Sequence, residues 1–515
     1  MCTPTDKLNL SKHAFILAAV LIAAVAAIGA VVIINGADDS DAASVKDYSA
    51  TPILWIYGNC DGDYDIDAKD VEVINAVIAA GGSASAYSWC DANQDGVIDE
   101  DDVEFVESMI DGTALYLYYL NIDDKVCYFA VRDQVNIVSV NQCNLQTVNL
   151  IINKDKNNKV IGSDQQVKKY NNVFNINFAD TPDKGALVTG TKNGEVQAEI
   201  ISTLEDYYGH VEITLGSVSR YGQTLETDFA GDENVSIIRL PSWEGNALEG
   251  LMTYGYLFGG VQNNSCWKQA LAYYDWYMGY YSVIEKEVAK IPESSRANIL
   301  TMYVKDCYPG ATDTVLNQGS GDYERSILCG GNNIGNFFGT SAGGYQPVTA
   351  EDMAACEKQY RTGDRNRGID FIFVEPSGVY GDGGKDYVIN AVQLAIDEFQ
   401  GYINDNTQIY SISFMVTTAA PVVVSYVFYA KTLFPNNAAF KDFDVDKAFN
   451  EYLQLSGWSN RADVSDIVSY GPGHTNSGGG GSSGDNNTVI YIAVAVVVIV
   501  AILGLAVFLL RKRGA

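Results

Sequence analysis

Basic side chains and histidine are scarce in this sequence. Its 515 residues contain 33 lysines and arginines against 64 aspartates and glutamates, which gives a formal charge of −31, and three histidines. An acidic surface of this kind repels polyphosphate, so a nucleic-acid partner is excluded and an extracellular or high-salt setting is favoured. The 47% hydrophobic and 19% charged composition is that of a folded protein longer than one domain.

The shortage of histidine also removes most hydrolytic mechanisms. Gly339–Gly343 reads GTSAG and satisfies the G-x-S-x-G nucleophile elbow, in which the base histidine follows the serine along the chain. The only histidine after Ser341 is His474, in a glycine-rich segment that cannot hold it in position. We therefore predict a protein that is not an enzyme, with a surface hydrolase that uses carboxylates as the open alternative.

Two uncharged runs predict the location of the chain. Residues 14–34 and 489–510 are each long enough to cross a hydrocarbon core of about 30 Å as a helix. Lys7 and Lys12 precede the first run and the basic residues 511–513 follow the second, so both short ends are expected in the cytoplasm. The first run is a signal peptide or a retained anchor. We expect a protein of the cell membrane with the bulk of the chain extracellular.

Two twelve-residue segments, Asn59–Asp70 and Asp91–Asp102, are built from alternating carboxylates. Calcium takes six to eight oxygen ligands, and a loop of this length supplies them from positions 1, 3, 5, 7, 9 and 12, the seventh through its backbone carbonyl. Gly96 occupies the tight-turn position 6 of the second loop, whereas Tyr64 occupies it in the first, where a strained turn is expected. Two calcium ions are predicted, with these ligands: Asn59, Asp61, Asp63, Asp65, Asp67, Asp70, Asp91, Asn93, Asp95, Val97, Asp99 and Asp102.

Each loop runs into an amphipathic helix, Val71–Ala80 or Val103–Ile110, no comparable helix enters it, and its position 12 is aspartate. This combination, over Trp55–Gly112, resembles a type I dockerin. The resemblance implies calcium at both loops and, for many dockerins, docking to a cohesin partner. Such a module can equally be an internal structural part of a larger chain. Cys60 and Cys90, at the starts of the loops, could join them, since disulfides are favoured outside the cell.

Short apolar runs alternate with helical stretches from Leu115 to about Ser469, which predicts an α/β architecture with mostly parallel sheets and room for two lobes. Ser265–Ile291 lacks proline and predicts a helix of about 40 Å. Its tyrosines and tryptophans fall nearly all round it, so we expect it to be buried where it joins two α/β halves. The predicted strands are Val135–Val140, His210–Leu215, Val235–Leu240, Ile299–Val304 and Asp370–Glu375.

The segment SIIRLPSWEGNALEGLMTYGYLFGG (Ser236–Gly260) resembles the hinge-side strand, loop and helix of class III substrate-binding proteins, the long-helix receptors of ABC importers. Ser265–Ile291 stands where that family has its lobe-connecting helix, and Val422–Leu455 resembles its terminal segment. The likeness covers about Asn121–Gly457. It implies a membrane-tethered receptor that passes an iron siderophore, haem, corrinoid or similar metal chelate to an ABC permease. The alternative is a cell-surface assembly protein whose dockerin-like module docks a cohesin-type partner.

The same resemblance implies that the solute lies between the lobes, on loops that follow the strands. Arg220 and Tyr221 are added as contacts for an anionic chelate, and Trp243 could stack on a flat solute. The expected ligand-binding residues are Asn141, Gln142, Arg220, Tyr221, Ser242, Trp243, Asn332, Asn333, Ser377 and Tyr380.

The predicted fold class is α/β, with two lobes and a long connecting helix, a small all-α calcium-binding dockerin-like domain and terminal transmembrane helices. The predicted segments are the cytoplasmic N-terminus 1–13, the signal peptide or anchor 14–34, the dockerin-like module 52–112, the N-terminal lobe 115–262, the connecting helix 263–295, the C-terminal lobe 296–470, the Gly/Ser linker 471–488, the transmembrane helix 489–510 and the cytoplasmic tail 511–515.

Overall fold

A computed structural model describes the body of the chain between the two uncharged runs. The described residues are 52–163, 186–187, 196–216, 222, 224–242, 247–261, 264–307, 312–341, 343–362, 368–376, 384–458 and 462–470. They belong to one compact unit that extends to Pro472. No helix within these ranges is both long and apolar enough to cross a membrane. Five predicted segments lie outside the described residues: 1–13, 14–34, 471–488, 489–510 and 511–515.

The described elements alternate between strands and helices along most of the chain. The helices are α1 Ala68–Ala79, α2 Glu100–Ile110, α3 Gln142–Ile152, α4 Ala198–Tyr208, α5 Leu225–Asp228, α6 Ala247–Leu257, α7 Ser265–Val288, α8 Gly321–Leu328, α9 Ala350–Thr362, α10 Gly384–Phe399, α11 Phe414–Thr417, α12 Val422–Leu433 and α13 Val445–Leu455. The strands are β1 Tyr116–Leu120, β2 Val126–Ala130, β3 Asn136–Val140, β4 Lys159–Ser163, β5 Ala186–Leu187, β6 Val211–Leu215, β7 Val235–Arg239, β8 Asn298–Tyr303, β9 Thr314–Leu316, β10 Asn332–Asn333, β11 Tyr345–Pro347, β12 Phe371–Val374, β13 Gln408–Ile412 and β14 Val468–Tyr470.

The N-terminal lobe is built on a parallel five-stranded sheet in the order β5-β4-β3-β6-β7. Every residue of β3 and β6 is buried, as is usual for parallel strands covered on both faces. Val140 pairs with Leu215, so these two strands end side by side. The predicted α/β lobe is confirmed, and the loops after β3, β6 and β7 lie along one edge of the sheet.

The C-terminal lobe has a mixed sheet in the order β11-β9-β8-β12-β13-β14, with β10 beside β8. Its centre is parallel, and Val374 pairs with both Met302 and Ser411, so β8, β12 and β13 share one carboxyl edge. Its outer strands β9, β11 and β14 pair antiparallel. The connection 304–313 from β8 to β9 is shorter than the dozen or so residues that a parallel crossover needs. The predicted parallel arrangement therefore holds for the centre of this sheet and not for its edges.

The predicted connecting helix is confirmed as α7. The side chain of Asn264 accepts the Cys266 N–H and caps its first turn. Gln269 donates to the carbonyls of Leu150 in the N-terminal lobe and Leu455 in the C-terminal lobe, at 3.2 and 3.0 Å. One buried stripe therefore contacts both lobes. The aromatic residues outside that stripe, such as Tyr274, are half-buried and pack against the same core, so the predicted burial of much of the helix is confirmed.

The carboxylate loops and their helices α1 and α2 pack as part of the body. Residues of this module and of α6 and α7 belong to one apolar cluster. The Trp55 N–H donates to Thr253 Oγ1 of α6 at 3.0 Å, and the Tyr64 ring stacks on Tyr274 of α7 with centroids 4.6 Å apart. The first loop therefore touches the connecting helix, and the predicted module 52–112 shares its core with the N-terminal lobe.

The eight cysteines from Cys60 to Cys356 are free thiols in the structure. The Cys60 thiol donates to the Gly58 carbonyl at 3.3 Å, and burial raises its pKa, with Cys90 as the next contribution. No disulfide is formed in the described part of the chain, so the suggested link between Cys60 and Cys90 is not present.

Candidate functional site

The loop after β3 carries two of the predicted solute ligands. Asn141 has φ +80°, an uncommon conformation for a residue other than glycine. Its Oδ1 accepts the Cys143 N–H at 2.7 Å and caps α3. Gln142 is buried, yet its Oε1 has no hydrogen-bond partner in the part of the chain that the structure describes. A buried amide oxygen without a partner costs free energy, so this loop presents an acceptor that a solute could satisfy.

A second unpaired group follows β7. Ser242 is buried, and its Oγ has no hydrogen-bond partner among the described residues. A Cβ on Gly216, directly after β6, would lie 1.8 Å from that oxygen, so only glycine leaves room for it. Beside them, Asn144 donates to the Thr214 carbonyl at 2.9 Å, and Tyr254 donates to Asn144 Oδ1 at 3.2 Å. Hydrogen bonds thus hold the carboxyl edge of the first lobe rigidly around two free oxygen acceptors.

The carboxyl edge of the second lobe holds a buried ionic cluster. Glu375 follows β12 and is fully buried. Arg325 of α8 lies between its carboxylate, at 3.3 Å, and that of Asp322, at 2.5 Å. Thr417 Oγ1 donates to Glu375 Oε2 at 3.0 Å. Burial and the nearby Asp322 raise the pKa of Glu375 against the opposing effect of Arg325. The cluster ties the 413–420 loop to the sheet.

The two carboxyl edges meet across the lobes. Cys143 Sγ lies 3.4 Å from Thr418 Oγ1, and the Tyr273 hydroxyl of α7 donates to the Ala420 carbonyl at 2.8 Å. Ala419 between them has φ +57°, so both facing loops hold a residue in a strained conformation. The loop 417–420, Asp322, Arg325 and Glu375 were not predicted, because no sequence spacing signals a cluster assembled from separate elements.

The remaining predicted solute ligands fall elsewhere. Asn332 and Asn333 pair with Asn298 and Ile299, the first residues of β8. Asn332 Nδ2 donates to Asn298 Oδ1 at 2.7 Å. Both residues therefore lie at the amino end of the sheet, away from the facing loops, and they do not fit the predicted cleft. The others lie outside the described residues: Arg220, Tyr221, Trp243, Ser377 and Tyr380.

Ser341 is not held as a nucleophile. Its Oγ donates to the Tyr345 carbonyl at 3.0 Å and accepts the Tyr345 N–H at 2.9 Å, in an exposed loop before β11 instead of a strand-to-helix turn. The one histidine within the described residues, His210, bonds Glu212 at 2.8 Å in the other lobe. The elbow pattern is therefore a coincidence of sequence.

Each carboxylate loop carries a buried, unpaired oxygen at its first position. Within the described ranges, Asn59 Oδ1 and Asp91 Oδ1 have no hydrogen-bond partner, although both residues are more than nine-tenths buried. The position-12 carboxylates also point inward: Asp70 accepts the Cys60 N–H at 2.7 Å and Asp102 accepts the Asn93 N–H at 3.1 Å. Burial raises the pKa of Asp70 to about 7. Carboxylate and amide oxygens are the hard ligands that calcium prefers, so the residues present fit that ion.

The carboxylates of the predicted calcium loops are not arranged as a metal site in the structure. Within the described ranges, no three acidic, cysteine or histidine side chains are gathered closely enough to hold a metal ion. The inner carboxylates accept hydrogen bonds from the backbone instead. Asp61 accepts the Asp63 N–H at 3.1 Å, and Asp95 accepts the Val97 N–H at 2.9 Å.

The tight turn of the first loop is formed differently from the prediction, because Tyr64 does not adopt a positive φ. Gly62 takes the left-handed conformation at φ +77°, so the strain expected at Tyr64 is absent.

A buried carboxyl group makes stability depend on pH. Glu249 of α6 is buried, and its Oε2 has no hydrogen-bond partner among the residues that the structure describes. Burial raises its pKa to about 7 from an ordinary 4.5. The folded state therefore holds this proton more tightly than the unfolded state, so the contribution is complete below pH 4.5 and lost as the pH rises through 7. Glu249→Gln should abolish a loss of about 2.5 kcal/mol in unfolding free energy between pH 5 and pH 8.

Urea denaturation at the two pH values measures this effect. Glu199→Gln, on exposed helix α4, is the matched control and should keep the wild-type pH dependence. An equal pH dependence in wild type and Glu249→Gln would show that Glu249 does not titrate in this range.

Comparisons with known proteins give fold neighbours alone. No family model matches this sequence, and no curated protein is similar to it. The TroA-like periplasmic binding protein FepB of Veillonella parvula is 13% identical, with a TM-score of 0.47 over 68% of this chain and 99% of that one. The molybdate-binding protein MolA of Haemophilus influenzae is 15% identical, with a TM-score of 0.44 over 67% and 99%. A periplasmic haem-binding protein of Pseudomonas aeruginosa is 13% identical, with a TM-score of 0.38 over 58% and 93%.

These three neighbours are solute-binding proteins and not enzymes. At such identities and TM-scores the likeness does not establish a family. The two-lobed α/β fold rests on the strand order and on the contacts of α7 with both lobes.

Proposed function

We propose that this protein is a non-catalytic, extracellular solute receptor of an ABC importer, tethered to the membrane through residues 489–510. The observation that carries the proposal is a contact between the two carboxyl edges, where Cys143 Sγ lies 3.4 Å from Thr418 Oγ1. The long helix α7 joins the two lobes. Ligands of open α/β sheets bind at this edge. Gln142 and Ser242 supply free buried acceptors there.

The proposed solute is an iron siderophore, haem, corrinoid or similar metal chelate. Such a solute is large enough to reach loops of both lobes at once, and its polar rim can satisfy acceptors that water does not reach. A flexible tether would keep the receptor at high local concentration beside its permease.

The solute prediction is tested by thermal unfolding of the full-length chain with a ferric siderophore, haem or cobalamin. At a concentration 100 times its Kd, the correct solute should stabilise the protein by about 2.7 kcal/mol. Gln142→Met keeps the volume of the side chain but removes the unpaired oxygen, so it should reduce this stabilisation. Gln454→Met, on the exposed side of α13, is the matched control. If none of the three solutes stabilises the protein, the receptor proposal is wrong.

The carboxylate loops are proposed to bind two calcium ions as an internal brace. The first site would use Asn59, Asp61, Asp63, Asp65, Asp67 and Asp70, and the second Asp91, Asn93, Asp95, Val97, Asp99 and Asp102. The unpaired Asn59 and Asp91 oxygens support this, since each would gain a cation in place of an unsatisfied contact. The Tyr64–Tyr274 stack connects the first loop to α7. The shared core favours bracing over recruitment of a cohesin-type partner.

A further inference from the structure

The hairpin formed by β1 and β2 has one face in the core and one in water. Leu117 and Phe129 are fully buried against the body. On the opposite face, the Tyr128 ring lies 5.5 Å from that of Tyr116 and 6.0 Å from that of Tyr118. The two strands therefore hold three aromatic rings as one rigid, outward-facing group.

This aromatic group extends beyond the three tyrosines. The Phe105 ring of α2 lies 5.2 Å from Tyr116, and Val126 on the same face of β2 is exposed. We call Phe105, Tyr116, Tyr118, Val126 and Tyr128 the tyrosine face. Val126 is 46% and Tyr128 58% exposed, two of the ten large hydrophobic side chains that the described residues expose. Contiguous exposed apolar groups of this kind mark interaction surfaces.

The charged residues around the tyrosine face are mostly acidic. No lysine or arginine occurs between Lys69 and Lys125, and Lys125 follows Asp123 and Asp124 in the hairpin turn. On α2, Asp101 is exposed four residues before Phe105, on the same side of the helix. Like charges across an interface cost several kcal/mol. A second copy of this chain, an anionic lipid surface or a nucleic acid would meet that repulsion, whereas a basic surface would be attracted.

We propose that the tyrosine face is a docking surface for a protein partner whose contact region is apolar at its centre and bears lysine or arginine at its rim. Tyrosine is enriched at the centres of protein interfaces, and the surrounding contacts exclude water. Tyr116 stacks on Tyr128, whereas Tyr118 meets both rings edge to face, so the three rings form an uneven surface that suits protein side chains better than a flat sugar. The surface is independent of solute binding, because it lies on the hairpin and not on the facing loops of the cleft.

The test measures binding of two fluorescent peptides to the full-length chain by anisotropy. One probe is Lys-Lys-Leu-Phe-Leu-Phe-Lys-Lys, and the other replaces every lysine with glutamate. The variant pair Tyr118→Thr with Tyr128→Thr removes the rings but keeps a β-branched residue in each strand. Tyr345→Thr with Tyr402→Thr is the matched control, since both are exposed elsewhere.

The lysine probe should bind wild type and the control pair alike, and it should bind the Tyr118/Tyr128 pair at least about tenfold more weakly. Asp101→Asn should weaken the same binding while leaving the rings intact, and this variant tests the proposal if the tyrosine variants unfold. Equal loss in both tyrosine pairs, or equal binding of the glutamate probe, would overturn the proposal. Self-association in sedimentation velocity that depends on Tyr128 would overturn it in favour of a second copy.

Discussion

Arg325→Met is expected to lower the free energy of unfolding by about 3–5 kcal/mol, because it leaves buried carboxylates without their cation. Arg325 lies between Asp322 and Glu375, and all three side chains are at least nine-tenths buried. Burial opposes its charge, but the two carboxylates outweigh that effect and raise its pKa. Urea denaturation at pH 7 measures the loss. The 413–420 loop, held through Thr417, should also lose its order and with it solute binding.

Two variants separate this effect from a general response to losing a basic residue. Lys447→Met removes an exposed cation 3.8 Å from Glu451 and should change stability by less than about 1 kcal/mol. Adding Glu375→Gln to Arg325→Met removes one of the stranded charges and should recover part of the loss. A cost for Arg325→Met no larger than that of Lys447→Met would show that the cluster does not hold the lobe together.

Calcium is expected to stabilise the whole body and not the module alone. Each occupied site should contribute about 2.7 kcal/mol at a calcium concentration 100 times its Kd. Because the module shares one apolar core with α6 and α7, calcium removal should shift a single cooperative transition. Differential scanning calorimetry with calcium and with chelator measures this. Asp91→Ala and Asp102→Ala should each remove about half of the effect.

Glu107→Ala is the control for those two variants, since Glu107 is exposed on α2 outside the loop positions. It should keep the full calcium response. The same calcium response in Asp102→Ala and in wild type would contradict a site at the second loop. A separate low-temperature transition would instead show that the module melts by itself.

The strands and helices that could be predicted from the sequence are those that neighbouring residues specify. Apolar runs such as Val135–Val140 and Asp370–Glu375 became β3 and β12 within a residue or two at each end. The proline-free aromatic run became α7. A buried strand and a long helix are set by periodicity and composition over neighbouring residues, so both could be recognised in a single chain.

Contacts between segments that are far apart in the sequence could not be predicted from such local patterns. The Arg325 cluster joins α8, β12 and α11, which come together only when the sheet forms. The union of the module with the N-terminal lobe depends on contacts such as Trp55 with Thr253, 198 positions apart. Asn141 and Gln142 could be placed at the carboxyl edge because they follow a recognisable strand, and their role as solute ligands stays a prediction. Asn332 and Asn333 were not placed correctly, because β10 runs along the amino end of β8.

Hydrogen–deuterium exchange of the full-length chain, with and without a bound metal chelate, tests the proposed receptor most directly. A solute held between the lobes must contact the loop at Asn141 and Gln142 in one lobe and the loop at Thr417–Ala420 in the other. The account predicts that both loops gain protection together, while the exposed face of the β1–β2 hairpin is unchanged. Protection confined to one lobe, or to neither with a ferric siderophore, haem or cobalamin, would contradict it.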